Sequence, residues 1–152
     1  MKVHEVATPN AKWCDPNTDL AAAAKIMWDD DCGAVPVLDE QRRVVGMVTD
    51  RDICIAAATR ATSPSNIRVG EIMSQRVHAC HPHDEVRSAL RAMGEQRVRR
   101  LPIVDEQERL VGIISLNDLV LHAGSRKDSG IQGDEFIDAM KAICAHRAVI
   151  AA

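Results

Sequence analysis

Residues 34–46, AVPVLDEQRRVVG, and residues 100–112, RLPIVDEQERLVG, share seven of thirteen positions at an offset of 66. The same gap-free offset pairs Cys14 with Cys80, Pro16 with Pro82, Met27 with Met93, Thr49 with Ser115 and Asp52 with Asp118. A repeat of this kind means two copies of one supersecondary unit. A single copy is too small to bury its own apolar sheet face, so the two are expected to close on each other as one module. The separator TSPSN at 62–66 combines proline with turn formers, which sets the expected units at 1–62 and 63–123, followed by a tail at 124–152.

Each copy carries the same order of local signals. A short extended piece (Lys12 to Cys14, Val77 to Cys80) ends at a proline-containing turn. A helix follows: Thr18 or Asp19 is placed to cap Leu20, Ala23, Ala24 and Met27, and Asp84 to cap Val86, Ala89, Leu90 and Met93, all at helical spacing. Next come AVPVLD and RLPIVD, joined through DEQRR and DEQER to VVGMVT and LVGIIS, a hairpin in each copy. Pro36 and Pro102 lack an amide hydrogen and are expected at a strand start or an edge. Thr49 and Ser115 then cap helices over Asp50 to Ala58 and Leu116 to His122, giving an α/β fold of two β-α-β-β-α units. A helical turn near Val69 to Met73 leads into the second copy. Breaks at Gly124, Gly130 and Gly133 precede a tail in which Phe136, Ile137, Met140, Ile143 and Cys144 are spaced for an amphipathic helix, on its own module or against a second subunit.

Composition narrows the function. With 19 basic and 22 acidic side chains the net charge is -3, which gives no broad positive field for a phosphate backbone, and three aromatic rings of the Phe and Trp kind offer few stacking platforms. Nucleic acid is therefore not the expected partner. No apolar run reaches membrane-spanning length and MKVHEVATPN lacks a signal-peptide core, so no membrane association and a cytoplasmic location are expected. Five cysteines without a CxxC pair argue against a disulfide framework.

MVTDRDI after GAVPVLDEQRRVVG, IISLNDL after VRRLPIVDEQERLVG, and EIM at 71–73 together resemble a tandem cystathionine-beta-synthase-type (CBS) domain pair, or Bateman module, over nearly all of residues 1–123. The chain is similar to the stand-alone kind, including small hypoxia-response proteins. The resemblance implies pseudo-twofold packing and a regulatory, non-catalytic role. It also implies clefts for an adenosine-containing ligand such as AMP, ATP or S-adenosylmethionine. A homodimer, with helices packed into a disc, is the expected assembly.

The residues themselves allow two readings of each T/S-x-x-D motif. Free amides at a helix start favour an anion, with Thr49 or Ser115 assisting, while the Asp52 or Asp118 carboxylate suits two ribose hydroxyls. Equally, each pair is a reciprocal cap that requires no ligand. Arg51 in the first motif, and Arg99 and Arg100 before the second hairpin, are candidate phosphate partners or solvated strand-edge charges. Residues 1–62 hold seven basic and ten acidic side chains against eight of each in 63–123, which makes the second half the more basic. Asp29, Asp30 and Asp31 read as solvated helix-end surface. His78, Cys80, His81 and His83 are metal-ligand types without a decisive spacing, so no metal is assigned and the segment stands as an alternative metal-binding reading. Trp13, near the expected cleft mouth, is a base-stacking or a packing residue.

Overall fold

A computed structural model describes residues 1–122 and 131–145. The expected breaks at Gly124 and Gly130, and the tail beyond residue 145, lie outside the described residues. The main elements are β1 (Thr8–Pro9), α1 (Leu20–Asp29), β2 (Ala34–Leu38), β3 (Val44–Thr49), α2 (Asp50–Thr59), α3 (Val86–Gln96), β4 (Arg100–Val104), β5 (Leu110–Ser115), α4 (Leu116–His122) and α5 (Gly133–Cys144). Short 3-10 turns occupy Val3–Glu5, Pro64–Asn66 and Val69–Glu71.

The hairpins form in the same register in both copies: Ala34 faces Thr49 across β2–β3, and Arg100 faces Ser115 across β4–β5. Their turns are also alike. The Oδ1 of Asp39 accepts the amides of Gln41 and Arg43, and that of Asp105 accepts those of Gln107 and Arg109. The two hairpin tips then bond to each other, with the Val44 amide donating to the Glu108 carbonyl and the Leu110 amide to that of Arg42, both at 3.2 Å. Pro36 and Pro102 sit in the middle of β2 and β4, opposite Met47 and Ile113. The outer side of each strand carries only a short parallel bridge, to Cys14 or Cys80, so a missing amide leaves the hairpin ladder complete.

The helices bury the expected stripes: Leu20, Ala23 and Met27 on α1, and Val86, Ala89, Leu90 and Met93 on α3. Asp19 caps α1 by accepting the Ala22 amide. Asp84, expected to cap α3, instead accepts the His81 amide at 2.7 Å, which fixes the preceding turn and leaves Glu85 at the cap position without a side-chain capping bond. Helix α5 packs on its own chain: the Cα of Ala139 lies 3.2 Å from where a Cβ on Gly94 would sit, and Glu135 pairs with Arg87 at 3.1 Å.

The leading segments of the two copies are exchanged. Val3 and Val6 belong to the cluster built from Leu90, Met93, Leu101, Ile114 and Leu119. Ile67 and Val69 belong to the cluster of Leu20, Val35, Val37 and Val48. Correspondingly, β1 pairs with β5, Thr8 opposite Ile113, while Ser74 bridges Met47 of β3. VHE at 3–5 and VGE at 69–71 occupy the same offset of 66 and form matching turns, so the exchange is reciprocal.

Candidate functional site

Strands β3 and β5 deliver Thr49 and Ser115 in extended conformation to the starts of α2 and α4. At the first, Asp52 Oδ2 accepts the Thr49 amide (2.9 Å) and hydroxyl (2.6 Å), while Thr49 Oγ1 accepts the Asp52 amide at 3.2 Å. At the second, Asp118 Oδ2 accepts the Ser115 amide and hydroxyl, both at 2.7 Å, and Ser115 Oγ accepts the Asp118 amide at 3.3 Å. Both motifs are thus reciprocal caps. Each cap occupies only one oxygen of its aspartate, so capping leaves Oδ1 outside the box.

The second box also borders a cavity of about 420 Å³, walled by Thr8 to Lys12, Asp30 to Cys32, Ala34 and Pro36 from one copy and by Arg100, Ile113, Ser115, Asn117 and Asp118 from the other. That size falls within the roughly 300–1,000 Å³ of small-molecule sites. A neighbouring cavity of about 520 Å³ lies against α1 and α2, lined by Met27, Trp28, Asp50, Ile53 and Cys54. Asp31, Cys32 and Arg100 border both cavities. Gly33 lines the larger cavity, where a Cβ would meet Asp50 Oδ2 at 2.9 Å and Arg100 Nη2 at 3.6 Å.

Of the residues singled out in the sequence, the structure gathers Ser115, Asp118 and Arg100 into one cleft. Thr49, Arg51 and Asp52 hold the corresponding positions of the first copy; the larger cavity is lined by none of the three, but by their neighbours Asp50, Ile53 and Cys54. Arg99 is exposed, with its carbonyl accepting the Leu116 amide. Asp29, Asp30 and Asp31 are exposed at the end of α1, as expected; Asp30 and Asp31 also border the second cleft, and Asp29 forms an exposed pair with Lys25. Asp31 reaches the cleft from a left-handed turn, φ 47°, a conformation invisible to hydrophobic periodicity. Trp13 offers its ring to Arg42, whose Cζ stands 5.2 Å from the ring centroid.

The histidine-rich segment disperses. Cys80 is buried with Sγ towards the Pro102 carbonyl, whereas Nδ1 of His81 lies 3.0 Å from the Val104 carbonyl. His83 stacks edge-on against His4 with ring centroids 5.3 Å apart, a contact created by the exchanged leader. Among the described residues no group of three or more His, Cys, Asp or Glu is arranged to hold a metal.

Burial first, and then the charges of Asp15 and Asp84, push the thiols of Cys14 and Cys80 up to about 12 from the ordinary 9.0. These raised values give a stabilising contribution that is intact below pH 9.0 and disappears as pH climbs towards 12. At about pH 8, where thiolate is the reacting species, iodoacetamide should label the exposed Cys54 and Cys144 and spare Cys14 and Cys80 until denaturant is added. Mass spectrometry of the labelled peptides checks this, and prompt labelling of Cys80 in the folded protein would contradict it.

No described helix is long and apolar enough to cross a membrane. The CBS domain family model matches residues 3–58 and 69–124. Hypoxic response protein 1 of Mycobacterium tuberculosis is 32% identical over 130 residues, 86% of this chain and 85% of that one. A solved structure of hypoxic response protein I, with two coordinated zinc ions, superposes with a TM-score of 0.72 at 30% identity, covering 80% of this chain and 98% of the other. The CBS domain pair of MJ0100, in complex with 5-methylthioadenosine and S-adenosyl-L-methionine, gives 0.74 at 26% identity over 83% and 98% of the two chains. CBSX2 in complex with AMP gives 0.68 at 26% identity over 80% and 95%. The duplicated hairpin-helix units, their exchanged leaders and these matches agree: the chain belongs to the CBS-domain family, as a tandem pair.

Proposed function

We propose that this chain is a non-catalytic regulatory module that senses an adenosine-containing small molecule in the cleft between its CBS units, with AMP, ATP and S-adenosylmethionine as the candidate class. One observation carries the reading: the Ser115–Asp118 box opens into a cavity whose walls come from both copies. A ligand seated there bridges the halves, and Asp118 Oδ1, outside the cap, is the acceptor for ribose hydroxyls. Arg100 and Ser115 complete this site; Thr49, Arg51, Asp52 and Arg99 are the matching candidates of the first copy. The adenosine ligands bound by the related MJ0100 and CBSX2 structures support the same class.

Signalling requires that ligand favour one of two states. The state change assigned here is in a homodimer, because Trp28 on α1 and Leu121 on α4 are 86% and 76% exposed although apolar. Such a protein works in the cytoplasm with a regulated partner. Calorimetry with AMP, ATP and S-adenosylmethionine tests the site: Asp118→Ala should weaken binding at least tenfold while the fold persists. Sedimentation equilibrium on the same samples should show a dimer at micromolar concentration. Unchanged binding in the variant, or no binding to the native chain, rejects the assignment.

A further inference from the structure

The repeat provides an internal control on the chemistry of the cleft. In the second cleft Lys12 and Arg100 face three carboxylates, Asp30, Asp31 and Asp118. Moving each lining position by 66 residues gives its counterpart beside the first box: Arg76 for Asn10, Gln96 for Asp30, Arg97 for Asp31, Arg100 for Ala34 and Arg51 for Asn117. The correspondence is structural as well as sequential. Asp31 and Arg97 both end their helices in the left-handed region, at φ 47° and 55°, and Ser74 pairs with Met47 as Thr8 pairs with Ile113. The counterpart positions of the first copy thus carry four arginines and one aspartate, Asp52, whereas carboxylates outnumber cations along the second cleft.

We propose that the second cleft selects an adenosine compound whose 5′ substituent is uncharged or cationic, a thioether or a sulfonium, over one that carries phosphate. This rests on the adenosine reading above and specifies its ligand. A 5′-phosphate would enter beside Asp30 and Asp31, whose exposed carboxylates repel it most strongly at low ionic strength. Lys12 and Arg100 offset them incompletely, two cations against the three carboxylates of the lining. A sulfonium or ammonium meets the same carboxylates as attraction. Phosphorylated nucleotides are assigned instead to the first copy, whose counterpart positions hold Arg51, Arg76 and Arg97.

Calorimetry on the full chain carrying Asp52→Ala isolates the second cleft, with 5′-methylthioadenosine, S-adenosylmethionine and AMP as probes. Methylthioadenosine and S-adenosylmethionine should each bind at least tenfold more tightly than AMP. For S-adenosylmethionine the gap should widen at low ionic strength, where charges are least screened. Adding D30N and D31N should raise AMP affinity and lower that of S-adenosylmethionine, drawing the two within about threefold; asparagine tolerates the left-handed turn at position 31, which protects the fold. AMP binding as tightly as methylthioadenosine, or a preference unmoved by the two substitutions, overturns the selectivity while leaving the adenosine site standing. Failure of all three probes to bind overturns both.

Discussion

Val3→Asp should lower the unfolding free energy by about 3–5 kcal/mol, a large part of the roughly 5–15 kcal/mol of an ordinary domain. Val3 has no exposed surface and packs into the cluster of Leu90, Leu101 and Ile114, so a carboxylate there has neither water nor a cation. The nearest basic groups of the leader are already engaged: Lys2 binds Glu85 at 2.6 Å, the first of the contacts that hold the Glu85 carboxyl below its usual range. The introduced acid has a raised folded pKa, so its deficit relative to the native chain should shrink as pH falls towards about 4, where the unfolded acid also protonates. Urea unfolding across pH measures this. The diagnostic result is its location: hydrogen exchange should accelerate in α3, β4 and β5, more than sixty residues away in sequence, and not in β2 and β3. Loosening confined to the first hairpin would refute the exchange of leaders.

Gly112→Val comes next in size. A Cβ at Gly112 would sit 2.9 Å from the Thr8 carbonyl oxygen, a backbone atom of β1, and 3.5 Å from Cδ1 of Ile103. The antiparallel strand cannot shift without losing its pairing to β5. Overpacking of this kind costs about 1–3 kcal/mol, and valine belongs at the upper end. For a chain of this length that corresponds to a fall of roughly 5–10 °C in Tm. At Gly46, the repeat counterpart, an added Cβ would meet Sδ of Met73 at 2.6 Å and the Ser74 carbonyl at 3.0 Å. Gly46→Val should therefore be comparably harmful, and alanine at either position less so. Thermal unfolding followed by circular dichroism separates the outcomes; a Tm within a degree of the native chain at Gly112→Val would mean that β1 does not lie over that glycine.

Local patterning carried most of the fold. Helix α4 opens at Leu116, as expected, and the buried stripe of α3 is the one its spacing predicts, because burial on one face imposes a period that survives in a single sequence. The exchange did not emerge. VHE and VGE announce that two turns are equivalent, yet the same apolar valine satisfies its own half or the other half equally well; only three-dimensional closure distinguishes them. For the site, Ser115, Asp118 and Arg100 could be found because motif and charge are local signals. Asp30 and Asp31 are the exposed helix-end acids that their run suggested, but their place at the cleft was not legible, because the left-handed turn at Asp31 leaves no periodic trace. Asp84 shows the same limit on a smaller scale: two adjacent acids compete for one cap, and the turn took the one expected on the helix.

Exchanged leaders also change what a cut in the connecting stretch would do. A chain nicked between Ala61 and Ser65 would yield one fragment carrying Val3 and another carrying Val69, each plugging the hydrophobic interior of its sibling. The fragments would remain clasped like two hooks, and separating them would require melting both interiors at once.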